Sequence, residues 1–95
     1  MKRLIEKTKR LIEKTKRFQK NFKELPIHVQ NKFKSIVPLF LEDPFVWHLK
    51  THKLQGELEG LYSSSITDNY RFITIIDLVN HKITFVNIGT HSIYR

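Results

Sequence analysis

Four side chains of this 95-residue sequence could together break a phosphodiester bond without a metal ion. His52 and His91 could exchange protons with a substrate, because both protonation states of imidazole are accessible near neutral pH. The guanidinium of Arg71 could stabilise the negative charge that builds up around phosphorus in the transition state. Tyr94 could stack on a base, as aromatic side chains of RNA-binding proteins do. These residue types are suited to metal-free RNA cleavage if the fold brings them to one edge of a sheet.

Two lysines flank the first of these histidines. Lys50 and Lys53 lie within two residues of His52 and could hold an RNA backbone through its phosphates. The spacing of His48 and His52 would also let a helix present both to one metal ion. No third ligand is nearby, so we expect no metal. The glycine motifs that cradle nucleotide phosphates are missing, so we expect no cofactor.

Composition limits the class of protein. The chain has no cysteine, and 40% of its residues are hydrophobic, which predicts one modest core in a single domain over residues 1–95 without disulfides or thiolate chemistry. Its apolar runs are too short to span a bilayer or to form the core of a signal peptide. We therefore expect a cytoplasmic protein without a membrane partner.

The formal charge of +8 is concentrated in the first third of the chain. Residues 1–35 contain twelve lysines and arginines against three glutamates. Such a distribution favours a polyanion or an acidic protein as partner, because neutralising phosphates releases counterions. The alternative is a helix with an ordinary solvated basic face.

An exact tandem repeat opens the chain, since residues 2–8 recur as residues 9–15. The seven-residue spacing could place Leu4, Leu11, Phe18 and Leu25 on one stripe of a helix over residues 3–24. Alternatively, residues 11–14 form an edge strand, and Thr15 caps a helix that starts at Lys16. The sequence leaves both interpretations open. Residues 1–10 could be a duplicated N-terminal extension.

Further along, the pattern predicts a second helix followed by a sheet. Pro26 marks a helix–helix junction, and apolar residues at intervals of three and four predict a helix from Ile27 to about Glu42, kinked at Pro38. After a connecting stretch over residues 44–56, strands are predicted at 58–66, 70–77 and 81–88, with turns at 67–69 and 78–80. Such an antiparallel meander with helices on one face is an α+β domain.

Four short segments together resemble the RelE/ParE toxin superfamily, and among its branches the YafQ-like toxins. They are residues 49–56 (LKTHKLQG), 60–63 (GLYS), 68–71 (DNYR) and 88–91 (IGTH), and the resemblance extends over residues 11–95. It implies two N-terminal helices packed on a small antiparallel sheet and ribosome-dependent cleavage of mRNA. It also implies inhibition by a cognate acidic antitoxin.

The resemblance assigns roles to individual positions. His52 matches a loop histidine of the YafQ-like toxins, His91 matches their C-terminal catalytic histidine, and Arg71 matches a phosphate-contacting arginine. Asn69 stands where the pattern has Asp, and Tyr70 replaces an aromatic that is usually Trp, so both are expected at the RNA.

Two further positions depart from the family pattern. Ser65 stands where YafQ-like toxins have a second active-site histidine. Tyr94 lies three residues after His91, whereas the family aromatic lies four after. These departures leave open a weakened or inactive nuclease.

Two other functions share these features. A ParE-like toxin would bind and inhibit a topoisomerase without cutting RNA, and a non-toxic RNA-binding domain would use the basic surface alone. A toxin that only binds does not need the combination of His52, Arg71 and His91, which therefore distinguishes the nuclease from it. A short acidic open reading frame beside this one would favour either toxin over the RNA-binding domain.

Overall fold

The computed structural model describes residues 11–94, which form two helices and a five-stranded mixed sheet. The strands are β1 (Leu11–Lys14), β2 (His52–Lys53), β3 (Tyr62–Ser65), β4 (Arg71–Asp77) and β5 (Lys82–Gly89), in the order β1-β5-β4-β3-β2. The helices are α1 (Lys16–Lys23) and α2 (Ile27–Glu42), and 3₁₀ turns span Trp47–Leu49, Gly56–Leu58 and His91–Tyr94. No helix in this part of the chain is long and apolar enough to cross a membrane. The predicted duplicated extension at 1–10 lies outside the described residues.

Residues 11–14 of the second copy of the repeat form a strand, and a helix starts directly after the copy, at Lys16. β1 pairs in parallel with β5, and the Thr15 amide that follows it donates to the Phe85 carbonyl at 3.0 Å. The Thr15 hydroxyl accepts from the Phe18 amide at 3.0 Å and donates to the Val86 carbonyl at 2.7 Å. One side chain thus caps α1 and ties it to the sheet. Of the two interpretations, the edge strand with its threonine cap is confirmed.

The alternative, one helical stripe through the whole N-terminus, is wrong over the described residues. Leu11 lies on the edge strand and is 66% exposed, whereas Phe18 on α1 is buried in the core. The seven-residue spacing does not produce a helix at residues 11–14, because pairing with β5 overrides the helical period there.

The helix–helix junction at Pro26 is confirmed. α2 begins at Ile27 and continues through Pro38. The side-chain amide of Gln30 donates to the carbonyls of Phe22 and Leu25, each at 3.0 Å, and fixes the angle between the two helices. The predicted end of α2 at Glu42 is also confirmed.

The antiparallel meander of β3, β4 and β5 is confirmed, with two differences in the segment before it. β3 starts at Tyr62 rather than at 58, because Gly56 and Gly60 take φ values of 70° and 93° and hold a turn there. The connecting stretch also contributes the two-residue strand β2, which is too short to produce a sequence pattern.

The helices cover one face of the sheet, as the α+β prediction requires. Phe72 on β4 is fully buried, and its ring meets those of Phe33 and Phe40 from α2 at 5.2 and 5.1 Å. Side chains alternate along a strand, so Ile73 and Arg71 point to the opposite face, as do their register partners on β3. Arg71, one of the predicted site residues, therefore lies on the helix-free face.

Candidate active site

Register places the first predicted histidine on the helix-free face. His52 on β2 is paired with Ser63 on β3, which is paired with Ile73 on β4. Residues paired across antiparallel strands project to the same side, so the three side chains form a row across the sheet. His52 is exposed, while Ser63 and Ile73 are buried. The imidazole thus lies at the open end of this row.

The C-terminal 3₁₀ turn brings Tyr94 and His91 to the same row. The Tyr94 hydroxyl lies 2.5 Å from the Ser63 hydroxyl, and the ring centroids of Tyr94 and His91 are 5.9 Å apart in an edge-on arrangement. His91 is exposed and Tyr94 half-buried. His52, Ser63, Tyr94 and His91 therefore form a chain of neighbours, although 39 positions separate the two histidines.

Two contacts hold the C-terminal turn against the sheet. Ile93 is buried, and a Cβ on Gly89 would lie 2.8 Å from its Cγ2 atom. Only glycine allows this approach of the turn to the end of β5. Gly89, the first residue of the Gly-Thr-His segment, thus lets the turn that carries His91 pack closely on the sheet.

The hydrogen bond of His52 determines which of its ring nitrogens is free. Its Nδ1 lies 3.0 Å from the carbonyl oxygen of Lys50, which takes a left-handed conformation with φ 54°. A carbonyl can only accept, so Nδ1 carries the hydrogen. In the neutral ring the lone pair is then on Nε2, the atom that can take a proton from a substrate.

Arg71 lies on the same face, two residues before Ile73. Its Nη1 donates to the Thr67 carbonyl at 2.6 Å, which anchors the guanidinium at the turn between β3 and β4. Within residues 11–94 the one ion pair is that of Lys82 with Glu13. The charge of Arg71 is therefore not neutralised by a carboxylate in the described structure.

Lys50 and Arg71 both line a cavity of about 440 Å³ at the edge of β3, next to the residues of that strand that β2 leaves unpaired. Ser65, the residue that departs from the histidine expected from the sequence, lines it too and is paired with Arg71. The cavity adjoins His52, because Lys50 lines the cavity and its carbonyl accepts the hydrogen bond from His52 Nδ1.

Three of the predicted RNA-binding residues lie away from this row. Lys53 is in register with Tyr62 and lines a groove with it on the helix-covered side. Tyr70 packs against the core and lines a groove beside Pro26. Asn69 is exposed in the β3–β4 turn, where its amide donates to the Thr67 hydroxyl at 3.3 Å.

Sequence reasoning missed the linking role of Ser63. The three consecutive serines suggest a nucleophile, and their strand alternation argues against one, but neither observation reveals a partner 31 residues away. A serine buried in a short strand requires a hydrogen-bond partner, and this requirement was the signal that could have predicted a partner for Ser63. Among the described residues, no group of three or more histidines and carboxylates is placed to hold a metal.

Comparison with solved structures identifies the fold as that of the RelE/ParE toxins. YafQ from E. coli strain BL21(DE3) is 23% identical, with a TM-score of 0.74 over 90% of this chain and 98% of that one. The YoeB/ParE toxin from Agrobacterium tumefaciens is 17% identical, with a TM-score of 0.73 over 85% and 98%. YafQ in the E. coli DinJ–YafQ toxin–antitoxin complex is 23% identical, with a TM-score of 0.72 over 88% and 94%. The resemblance to RelE/ParE and YafQ-like toxins is confirmed at the level of the fold.

The comparisons by sequence add nothing to this. No protein-family model matches the chain, and neither does any curated protein.

Proposed function

We propose that this chain is the toxin of a type II toxin–antitoxin module and cuts mRNA on the ribosome without a metal ion. The observation that carries the proposal is the chain of neighbours from His52 through Ser63 and Tyr94 to His91. The cation of Arg71, which has no carboxylate partner among the described residues, lies on the same face of the sheet. Two proton carriers and a fixed positive charge are the groups that this reaction needs.

The geometry supports one assignment of roles. Nε2 of His52 takes the proton from a ribose 2′-hydroxyl, and the 2′-oxygen attacks phosphorus to form a 2′,3′-cyclic phosphate. The bond to the 5′-oxygen breaks, and the imidazolium of His91 gives that oxygen its proton. Arg71 stabilises the charge on the phosphoryl oxygens, while Tyr94 orients His91 through the contact of their rings.

We propose an acidic antitoxin as protein partner and the cytoplasm, where ribosomes are, as the site of action. The E. coli YafQ structure with DinJ is a toxin–antitoxin complex of the same fold. Four basic residues, Lys16, Arg17, Lys20 and Lys23, are exposed on α1. An acidic segment that folds on this helix would neutralise part of that charge.

Growth after induction in a bacterial host tests the proposal. We expect the wild-type chain to arrest growth and His91→Ala to relieve the arrest while its circular dichroism spectrum stays native. His28→Ala is the matched control, because His28 is exposed at the start of α2 and outside the site. If folded His91→Ala arrests growth fully, the nuclease proposal is wrong, and a toxin that only binds a topoisomerase becomes the better account.

A further inference from the structure

The cavity at the edge of β3 extends beyond the residues that the proposed reaction uses. Besides Lys50 and Arg71 it is lined by Lys32 and Ser35 of α2 and by His48 of the first 3₁₀ turn. One carboxylate, that of Asp68, stands against three fixed cations. None of the three forms an ion pair in the described part of the chain. An anion of phosphate size would find charge there that the protein itself leaves unneutralised.

An exposed aromatic residue adjoins this cavity. Trp47 is 84% exposed, and its ring lies 5.2 Å from the ring of His48 in an edge-on arrangement. Exposing a tryptophan to this extent leaves a large apolar surface in water, and an accessible indole face is a platform on which a nucleic-acid base can stack. Phosphate-sized space and a stacking surface therefore lie side by side.

The two features also connect to the candidate active site. Lys50 lines the cavity, and its backbone carbonyl accepts the hydrogen bond from Nδ1 of His52. Arg71 lines the cavity and shares the sheet face of Ile73 and Ser63. A single strand of RNA that crosses the proton-transfer residues would continue over these two cations into the cavity.

We propose that this cavity and Trp47 form a nucleotide-binding subsite for single-stranded RNA, separate from the bond that is cut. A backbone phosphate binds at Lys32 and Lys50, next to the scissile phosphate at Arg71, and a neighbouring base stacks on Trp47. The inference rests on the proposed function for its ligand class, and it adds Lys32, His48 and Trp47 to the residues that contact RNA.

Binding measured without cleavage tests the subsite independently of the reaction. The probe is a short fluorescein-labelled 2′-O-methyl oligoribonucleotide, which lacks the attacking hydroxyl, and all proteins are full-length chains carrying His91→Ala. Trp47 is the sole tryptophan, so its fluorescence should be quenched when the probe saturates the protein. Anisotropy over a series of salt concentrations gives the affinity and its salt dependence.

Two variants, Lys32→Ala and Trp47→Ala, should weaken RNA binding in different ways. Lys32→Ala should weaken binding and reduce the slope of log K against log salt by about 0.7, the value for one phosphate contact with a single strand. Trp47→Ala should weaken binding about ten-fold with the slope unchanged, because stacking is not ionic. Lys34→Ala is the matched control, since Lys34 is on the same helix but lies over the Phe22 ring; it should change neither quantity.

Several results would overturn the subsite. They are a tryptophan signal that does not change at saturation, variants that bind like the parent, or an acidic peptide that binds through Lys32 and Trp47 when RNA does not. If wild-type protein cuts RNA and the variants bind normally, the subsite alone is wrong. If the variants behave as expected while His91→Ala still arrests growth, the reaction is wrong and the subsite stands.

Discussion

At the scale of single residues, the hydrogen bond between Ser63 and Tyr94 joins the C-terminus to the sheet. Ser63 is fully buried, so its hydroxyl has lost water and depends on the phenol for a partner. The same phenol carries the ring that meets His91. We therefore regard Tyr94 as a positioning residue whose effect on the reaction passes through His91.

Replacing Tyr94 by Phe should reveal this dependence. We expect the free energy of unfolding, measured by chemical denaturation, to fall by about 1–3 kcal/mol, because a buried hydroxyl is left without a partner. Adding Ser63→Ala removes the orphaned hydroxyl and should restore part of the loss. A Tyr94→Phe variant as stable as the wild type would show that the bond contributes nothing.

A second residue-scale feature predicts how stability depends on pH. Hydrogen bonds from the Asn80 side chain and amide, at 2.8 and 3.1 Å, and the charge of Lys82 hold the pKa of Asp77 below its ordinary value of 3.8. A lowered pKa stabilises the folded state above 3.8, and this contribution disappears as the pH falls through the lower, folded-state pKa. Asp77 is exposed to solvent screening, so the effect is small.

The prediction concerns the β4–β5 turn. Asp77→Asn should lower the melting temperature near neutral pH. The difference in melting temperature between the variant and the wild type should shrink below pH 3.8. Asn80→Ala removes the main donor and should reduce the same pH dependence. A difference that is constant over the whole pH range would contradict this linkage.

At the scale of elements, the strands that could be predicted are β4 and β5. They are seven and eight residues long and rich in Ile, Phe, Val and Thr. β1 is ambiguous in the sequence because its partner β5 begins about 70 residues later, and a heptad repeat favours a helix when that partner is ignored. β2 has two residues, and no periodicity exists at that length.

The end of β5 offers the sharpest test at this scale. Gly89→Ala should displace the 3₁₀ turn that carries His91 and Tyr94, because the new Cβ would meet Ile93 Cγ2 at 2.8 Å. We expect a stability loss of about 1–3 kcal/mol and a larger proportional loss of RNA cleavage in a translation extract. Ile93→Ala in the same chain removes the clashing methyl and should restore part of the activity.

A variant at a second glycine distinguishes the effect of backbone strain from the effect of displacing the candidate site. Gly60 has φ 93°, but a Cβ there would meet nothing within 4 Å. Gly60→Ala should therefore cost stability while cleavage stays normal. Equal losses of cleavage in the two variants would show that the effect of Gly89 is not local.

At the scale of the whole molecule, the sequence predicts the fold better than it predicts the cavity. The fold class, the order of helices and sheet, and the joint location of His52, His91 and Tyr94 follow from patterns or from the family resemblance. The cavity does not, because it forms where α2, a 3₁₀ turn and the end of β3 beyond its pairing with β2 meet, and no local pattern reports such a meeting. Lys53 and Tyr70 are sequence neighbours of site residues, but they lie away from the site because successive side chains of an extended chain project to opposite sides.

The central claim is that the imidazoles of His52 and His91 act on one RNA linkage. Mapping of 5′ ends on cellular mRNA by primer extension, after induction of each variant, tests it most directly. The account predicts new ends inside coding regions with the wild-type chain and with His28→Ala, and their absence with folded His52→Ala and His91→Ala. Growth arrest by the wild-type chain without new ends, or the same ends from His91→Ala, would contradict it.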